Sequence, residues 1–196
     1  MIVTVTVNPA LDRTAGVEKL RIGGLNRLGE VVEDCGGKGV NVSKAVAALG
    51  GESVATGFMG GGAAGESLLG LIDAVAGVRA GFVPVAAPAR VNLKIVETVG
   101  GVLTEFNEAG AAVTPGEVDA LTAKLAGQAV PGAVFVFSGS LCPGLPEDCY
   151  ATWIALAHEA GATALLDASG QALRRGLVAR PDLVKPNWPE LADLVG

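Results

Sequence analysis

β-Branched residues crowd the stretch Ile2 to Val7, and the run stops at Asn8-Pro9, which predicts a buried strand. Val40 to Leu49 places apolar residues at helical spacing around Ser43 and Lys44, and Gly50-Gly51 closes that helix. A second strand follows over Ser53 to Met59. Glycines 60 to 62 lead into a helix over about Ala64 to Ala76, and Val78 to Val85 reads as a third short strand. Further on, Thr114-Pro115-Gly116-Glu117 has the spacing of a capping box and opens a helix to Gly127. The remainder predicts a strand over Ala133–Phe137, a helix over Pro146–Ala160, a strand over Thr163–Leu166 and a helix over Gln171–Leu177. A strand over Leu183–Lys185 and a helix starting at Trp188 complete the pattern. Such alternation implies an α/β fold, a mostly parallel sheet with helices on both faces.

Two stretches break this rhythm. Arg90 to Thr98 and Val102 to Asn107 alternate apolar and polar positions across Gly100-Gly101, which predicts a β-hairpin with one wet face. Segments 13–32 and 88–108 are therefore expected as a small β appendage inserted in one domain covering 1–196. No internal repeat or low-complexity linker is present.

Composition narrows the function classes. Half of the 196 residues are apolar and 17% are charged, which excludes disorder by composition. The net charge of -6 argues against a nucleic-acid or anionic-membrane surface, since both require clustered Lys and Arg. It leaves room for a small anion held by a few basic residues. Cys35, Cys142 and Cys149 form no CxxC pair and leave one over, as suits reduced thiols and a cytoplasmic protein. Met1 runs straight into the first strand, so no signal peptide is expected. Charges or glycines interrupt every apolar run before about 18 residues, so no membrane span is expected.

In parallel α/β sheets ligands bind where strands end and helices begin, so the residues just past each strand carry the chemistry. Gly36-Gly37-Lys38-Gly39-Val40-Asn41 stands before a helix, where open backbone N–H groups and a lysine favour an oxygen or an anion. It is neither a P-loop nor a dinucleotide fingerprint. Asp12 follows the first strand and can accept from adjacent sugar hydroxyls. Arg90, Asn92 and Lys94 fall on one face of the hairpin strand, a set of donors suited to phosphate. Ser138-Gly139-Ser140 ends another strand. Lys185-Pro186-Asn187 and Glu190 follow the last, and can meet triphosphate oxygens and the waters of a Mg²⁺ ion. Each taken alone also fits a plainer role: a glycine-rich turn, a solvated Asp, the wet face of a hairpin, a helix cap. His158 has no Cys or His partner at ligand spacing and gets no metal role.

Together, and in order, these motifs resemble the ribokinase-like phosphofructokinase-B family of sugar kinases. The match runs through Gly36-Gly37-Lys38-Gly39-x-Asn41-x-Ser43, Gly50, Gly60, Ser138-Gly139-Ser140-Leu141, Pro143-Gly144 and Lys185-Pro186-Asn187-x-x-Glu190. Asn8 to Asp12, Arg90 to Lys94 and Glu105 to Glu108 look most like its 1-phosphofructokinase branch. Tagatose-6-phosphate kinases and 6-phosphofructokinases are close relatives. The resemblance implies ATP-dependent phosphorylation of a ketohexose phosphate, fructose 1-phosphate giving fructose 1,6-bisphosphate. It further implies that Asp12, Gly37 and Asn41 hold sugar hydroxyls. Arg90, Lys38 and Arg27 would neutralise the substrate phosphate, with Ser138 beside them. Lys185 would contact ATP, while Asn187 and Glu190 would organise Mg²⁺ through water. The appendage would be a β-lid that closes on the sugar and pairs two subunits as a homodimer. The family's Gly-x-Gly-Asp loop, which carries the catalytic base, does not occur in residues 1–196, and the resemblance places it downstream of Gly196. No catalytic residue is therefore assigned within the chain. The sequence reads as a kinase domain without its C-terminal part, inactive alone, with a non-catalytic sugar-phosphate binder as the alternative. Cys142 departs from the Pro usual in relatives.

Overall fold

A computed structural model describes residues 1–196. The first half contains β1 (Ile2–Thr6), β2 (Ala10–Val17), β3 (Val31–Gly36), α1 (Lys38–Ala48), β4 (Ser53–Gly61) and α2 (Gly62–Asp73). Next come β5 (Val78–Ala80), β6 (Val83–Pro88), β7 (Arg90–Glu97), β8 (Leu103–Asn107) and α3 (Pro115–Gln128). The chain continues through β9 (Val134–Ser138), α4 (Cys149–Glu159), β10 (Thr163–Asp167), α5 (Gly170–Gly176), β11 (Leu183–Val184) and α6 (Trp188–Val195).

The main sheet runs β11-β10-β9-β1-β4-β5, every pair parallel, with β6 also joined to β4. Alternation along β1 shows how it is sandwiched. Val3 and Val5 enter a core with Leu121 and Leu125 of α3, Tyr150 and Trp153 of α4 and Leu173 of α5. On the other face the Thr4 hydroxyl meets the Ser43 hydroxyl of α1 at 2.7 Å, and the Ser53 hydroxyl donates to the same Ser43 oxygen at 2.9 Å. This closed hydroxyl chain lets buried polar side chains dock α1 without an unmet hydrogen bond. α2 covers the neighbouring area through Leu68 and Ile72. Toward β11 the α1 face is open: Leu183 is 52% and Trp188 84% exposed, and α6 buries no residue.

A second sheet has the order β3-β2-β7-β8, with β2 and β7 parallel and the outer pairs antiparallel. The hairpin expected from Gly100-Gly101 is its β7–β8 half. Two sequence readings need correction here. The stretch Ala10–Val17 is a strand, so Asp12 lies in a ladder opposite Asn92 and Asp34 rather than in a turn. The strand expected over Val78–Val85 is two strands, β5 and β6, separated by Gly81 and Phe82, which pair with successive parts of β4. The capping box at Thr114 and Glu117 forms as its spacing required. No helix is long and apolar enough to cross a membrane.

Candidate active site

Parallel register brings the carboxyl ends of three strands into one row, Thr6 opposite Ser138 and Ser138 opposite Asp167. Lys185 follows β11 on the far side of Asp167. The second sheet rises beside this row, and between them lies a polar cleft of about 600 Å³. Lys38, Asn41, Arg90, Asn92, Lys94, Glu105, Asn107 and Ser138 are among its lining residues.

Residues that pair across a sheet share a face. The pairs Ala10–Arg90, Asp12–Asn92–Asn107 and Lys94–Glu105 thus share one polar face, from which Arg90, Asn92, Lys94, Glu105 and Asn107 line the cleft while Asp12 is not among the lining residues. The opposite face carries Ala15, Val17 and Ile95 with Leu93 packed against them. Asp12 is held by two donors: Asn92 Nδ2 reaches its Oδ1 at 2.9 Å and Lys94 Nζ its Oδ2 at 2.7 Å. Gly36 passes directly over this carboxylate. A Cβ there would sit 2.6 Å from the Asp12 carboxyl carbon, so only glycine allows the approach.

Gly37 precedes α1 at φ 122°, a left-handed backbone that glycine adopts freely. The first bond of the helix is Asn41 N–H to Gly37 O at 2.9 Å, so the N–H groups before it have no partner inside the helix. These groups and the helix dipole favour anionic oxygen at this spot.

Arg90 is half-buried, and its guanidinium donates only to main-chain carbonyls: Asn8 O at 2.8 Å, Glu108 O at 3.1 Å and Pro9 O at 3.4 Å. Desolvation pushes its pKa down, partly offset by Asp12, yet an arginine so placed stays charged. The other cleft cations are paired. Lys94 lies on Asp12, and its pKa is raised by the hydrogen bond to that carboxylate. Lys38 and Lys185 both lie on Asp167, at 2.9 and 3.0 Å.

The structure groups the expected residues differently in two respects. Lys38 turns its ammonium toward Asp167, with Glu190 at 3.7 Å, and so stands on the Lys185 side of the cleft. Arg27 lies in the β2–β3 connection, in a separate hollow with Lys19, Arg21 and Asn26, and does not line the cleft. Asn187 and Glu190 form a capping box at the start of α6, each side chain accepting from the other's backbone N–H at 2.8 Å. Gly196, beyond which the base is expected, stands at the other end of that helix as its cap, with φ 88°. It does not line the cleft.

Asp167, the joint partner of both lysines, was missed in the sequence. The signal was available, because it ends an apolar strand just as Ser138 does. Thr6, Asn92 and Ser138 each hold a buried polar atom without a partner, and all three residues line the cleft. Orphan polar atoms converging on one hollow are what a polar ligand would satisfy. Cys142 and Cys149 lie instead in the hydrophobic core, where burial pushes their thiols up to about 11 and about 12.

An open parallel sheet with a polar cleft at its strand ends and a helix N-terminus facing in is the frame of a nucleotide- or phosphate-handling α/β enzyme. The chain belongs to the pfkB family of carbohydrate kinases, whose model matches residues 6–196. It is 37% identical over 195 residues to the 1-phosphofructokinase of Vibrio cholerae, an alignment that covers the whole of this chain and 61% of that protein. Crystal structures of phosphofructokinase-2 from Escherichia coli, with fructose-6-phosphate and in a tetrameric inhibited form, superpose with TM-scores of 0.93 and 0.92 at 34% identity. Both cover 99% of this chain and are covered over 63% of their own length. Ribokinase from Giardia lamblia, 18% identical with a TM-score of 0.77, shares the fold. The chain thus has the ribokinase-like architecture and spans about three-fifths of the length of these relatives.

Proposed function

We propose that this chain supplies the sugar-phosphate side of an ATP-dependent ketohexose-phosphate kinase, with fructose 1-phosphate as substrate and fructose 1,6-bisphosphate as product. The observation that carries this is the state of the cleft cations Lys38, Arg90 and Lys94 and of Lys185 beside them. Lys94 lies on Asp12, and Lys38 and Lys185 share Asp167 with Glu190 3.7 Å from Lys38, whereas Arg90 bonds only carbonyls and has no carboxylate in contact. A phosphate ester is the ligand that charge selects. Asp12, already aligned by Asn92 and Lys94, accepts from sugar hydroxyls, and Ser138 with Thr6 and Asn92 offers the unmatched polar atoms. A free ribose or nucleoside would leave Arg90 unmatched.

In the reaction the sugar's primary hydroxyl oxygen bonds to the γ-phosphorus as the bond to the β-phosphate bridging oxygen breaks and ADP leaves, the hydroxyl proton passing to the base of the family's Gly-x-Gly-Asp loop. Lys38 and Lys185 are placed for the triphosphate charge, with the N-terminus of α1 beside them. Asp167 and Glu190 do not form a cage for a resident metal, since their oxygens already serve lysines and the α6 cap. They suit a Mg²⁺ ion that arrives with the nucleotide and keeps its waters, with Asn187 at the same helix start. The second sheet acts as a lid over the sugar. Its exposed Val31 and Phe106, at 43% and 51%, support pairing of two lids in a homodimer. The setting is the cytoplasm.

Titration calorimetry of fructose 1-phosphate, fructose 6-phosphate, tagatose 6-phosphate and fructose tests the reading. Preference for an unphosphorylated sugar would sink it, and a preference among the phosphates would assign the isomer. A second reading, a non-catalytic sugar-phosphate binder, is favoured by one observation: both aspartates in or beside the cleft are tied to lysines, so neither is free to take the hydroxyl proton. A coupled assay on a version extended with the family's Gly-x-Gly-Asp loop separates the two.

A further inference from the structure

The second sheet joins the core through four crossings, at residues 7–9, 37, 89 and from 108 onward. Asn8 stands in the first of these, 6% exposed, and lines the cleft. Its Nδ2 donates to Ala109 O at 2.9 Å, in the exit from the second sheet. A longer bond of 3.4 Å goes to Leu141 O, in the loop that begins with Ser138-Gly139-Ser140. Its own carbonyl receives Arg90 Nη2 at 2.8 Å. Gly110, at φ 108°, lies flat against the amide, where a Cβ would come within 2.8 Å of the Asn8 carboxamide carbon. One side chain therefore touches the lid exit and the strand-end loop, and its backbone holds the guanidinium between them.

We propose that Asn8 is a positioning residue of this cleft, setting the spacing between Arg90 and the Ser138 loop by tying both cleft walls to one amide. The proposal rests on the sugar-phosphate reading only for what the spacing serves. Two bonds from a buried amide fix a distance that flexible loops would otherwise leave open, and a ligand spanning both walls depends on that distance. A merely structural asparagine would stabilise the whole domain and favour neither wall.

The test is amide hydrogen exchange on the 196-residue chain without ligand, comparing the native sequence with Asn8→Asp. That substitution keeps the shape and the backbone carbonyl but has no donor at neutral pH. Exchange should quicken at the protected amides that flank the tie, Val91, Val113 and Gly139, which bond Glu108, Pro143 and Asp167. Amides within β9 and α4 should stay as they were. Fructose 1-phosphate affinity should fall at least about fivefold, the effect of the two lost hydrogen bonds. Gly110→Ala, pressing on the same amide from the other side, should give the same local pattern. Unchanged exchange, acceleration spread evenly over β1, β9 and α4, or a local change with unaltered affinity would each overturn the proposal. If the native chain bound no fructose 1-phosphate, the sugar-phosphate reading would fail while the exchange pattern still decided the coupling.

Discussion

In the proposed reading recognition would turn on Arg90, because its guanidinium bonds only main-chain carbonyls and no carboxylate need be displaced when a phosphate arrives. Arg90→Ala should weaken fructose 1-phosphate binding by about 1.5–3 kcal/mol, the range for hydrogen bonds to charged groups. Calorimetry with fructose as control should show that the unphosphorylated sugar is barely affected. An equal loss for both sugars would mean that Arg90 acts only by holding the chain. The shared face of Arg90, Asn92 and Lys94 was legible in the sequence, since strand alternation places every second residue together. The pairing of Lys38 with Asp167 was not, because those residues are separated by 129 positions and only the parallel register of β9 and β10 brings them together.

Helix starts were the most readable elements, and their contributions can be checked one by one. Thr114 accepts from Glu117 N–H while Glu117 bonds back to Thr114, and those bonds hold the Glu117 carboxyl below its ordinary value. Thr114→Ala should lower stability by about 1 kcal/mol, read as a reduced urea midpoint with unchanged slope. Asp182 gives a pH signature. The Ala164 N–H and His158 hold its pKa below the ordinary value. A depressed carboxyl stabilises the fold above its unfolded pKa, about 3.9, and that stability is lost as pH falls through the folded value. Asp182→Asn should therefore be less stable than the native chain at neutral pH, with the gap closing below about pH 4. A gap that did not narrow at all between neutral pH and about pH 2 would show that another group carries the effect.

At the scale of the whole molecule, the cleft lies between the polar face of the second sheet and a row of strand ends, with Lys38 and Lys185 paired to Asp167 at one side. Neither Asp12 nor Asp167 is free to act as base, since each is held by a lysine. The 196 residues alone should give no detectable turnover in a coupled ADP assay, since a missing general base costs about 10²–10⁴ in rate. Turnover abolished by Asp12→Asn would show that the base had been misplaced. The apolar residues at the edges of the second sheet belong to the same scale. If two lids pair there, Phe106→Glu should shift sedimentation from dimer to monomer while leaving the far-UV spectrum unchanged.

The alternation of strands and helices in most of the main sheet, the hairpin, the capping box at Thr114 and the glycine-rich turn before α1 were determined by the sequence itself, because local periodicity and turn chemistry act over a few residues. So was the family, because several short motifs recur in a fixed order. β2, β3 and the split of β5 from β6 were not. Tertiary structure alone decided that Asp12 is a ladder residue clamped by Asn92 and Lys94, that Arg27 stands away from the cleft, and that Lys38 shares Asp167 with Lys185. It also decided which cation has no carboxylate in contact. Charge pairing depends on distances across sheets and between crossings, and those are fixed only when strands distant in sequence lie side by side.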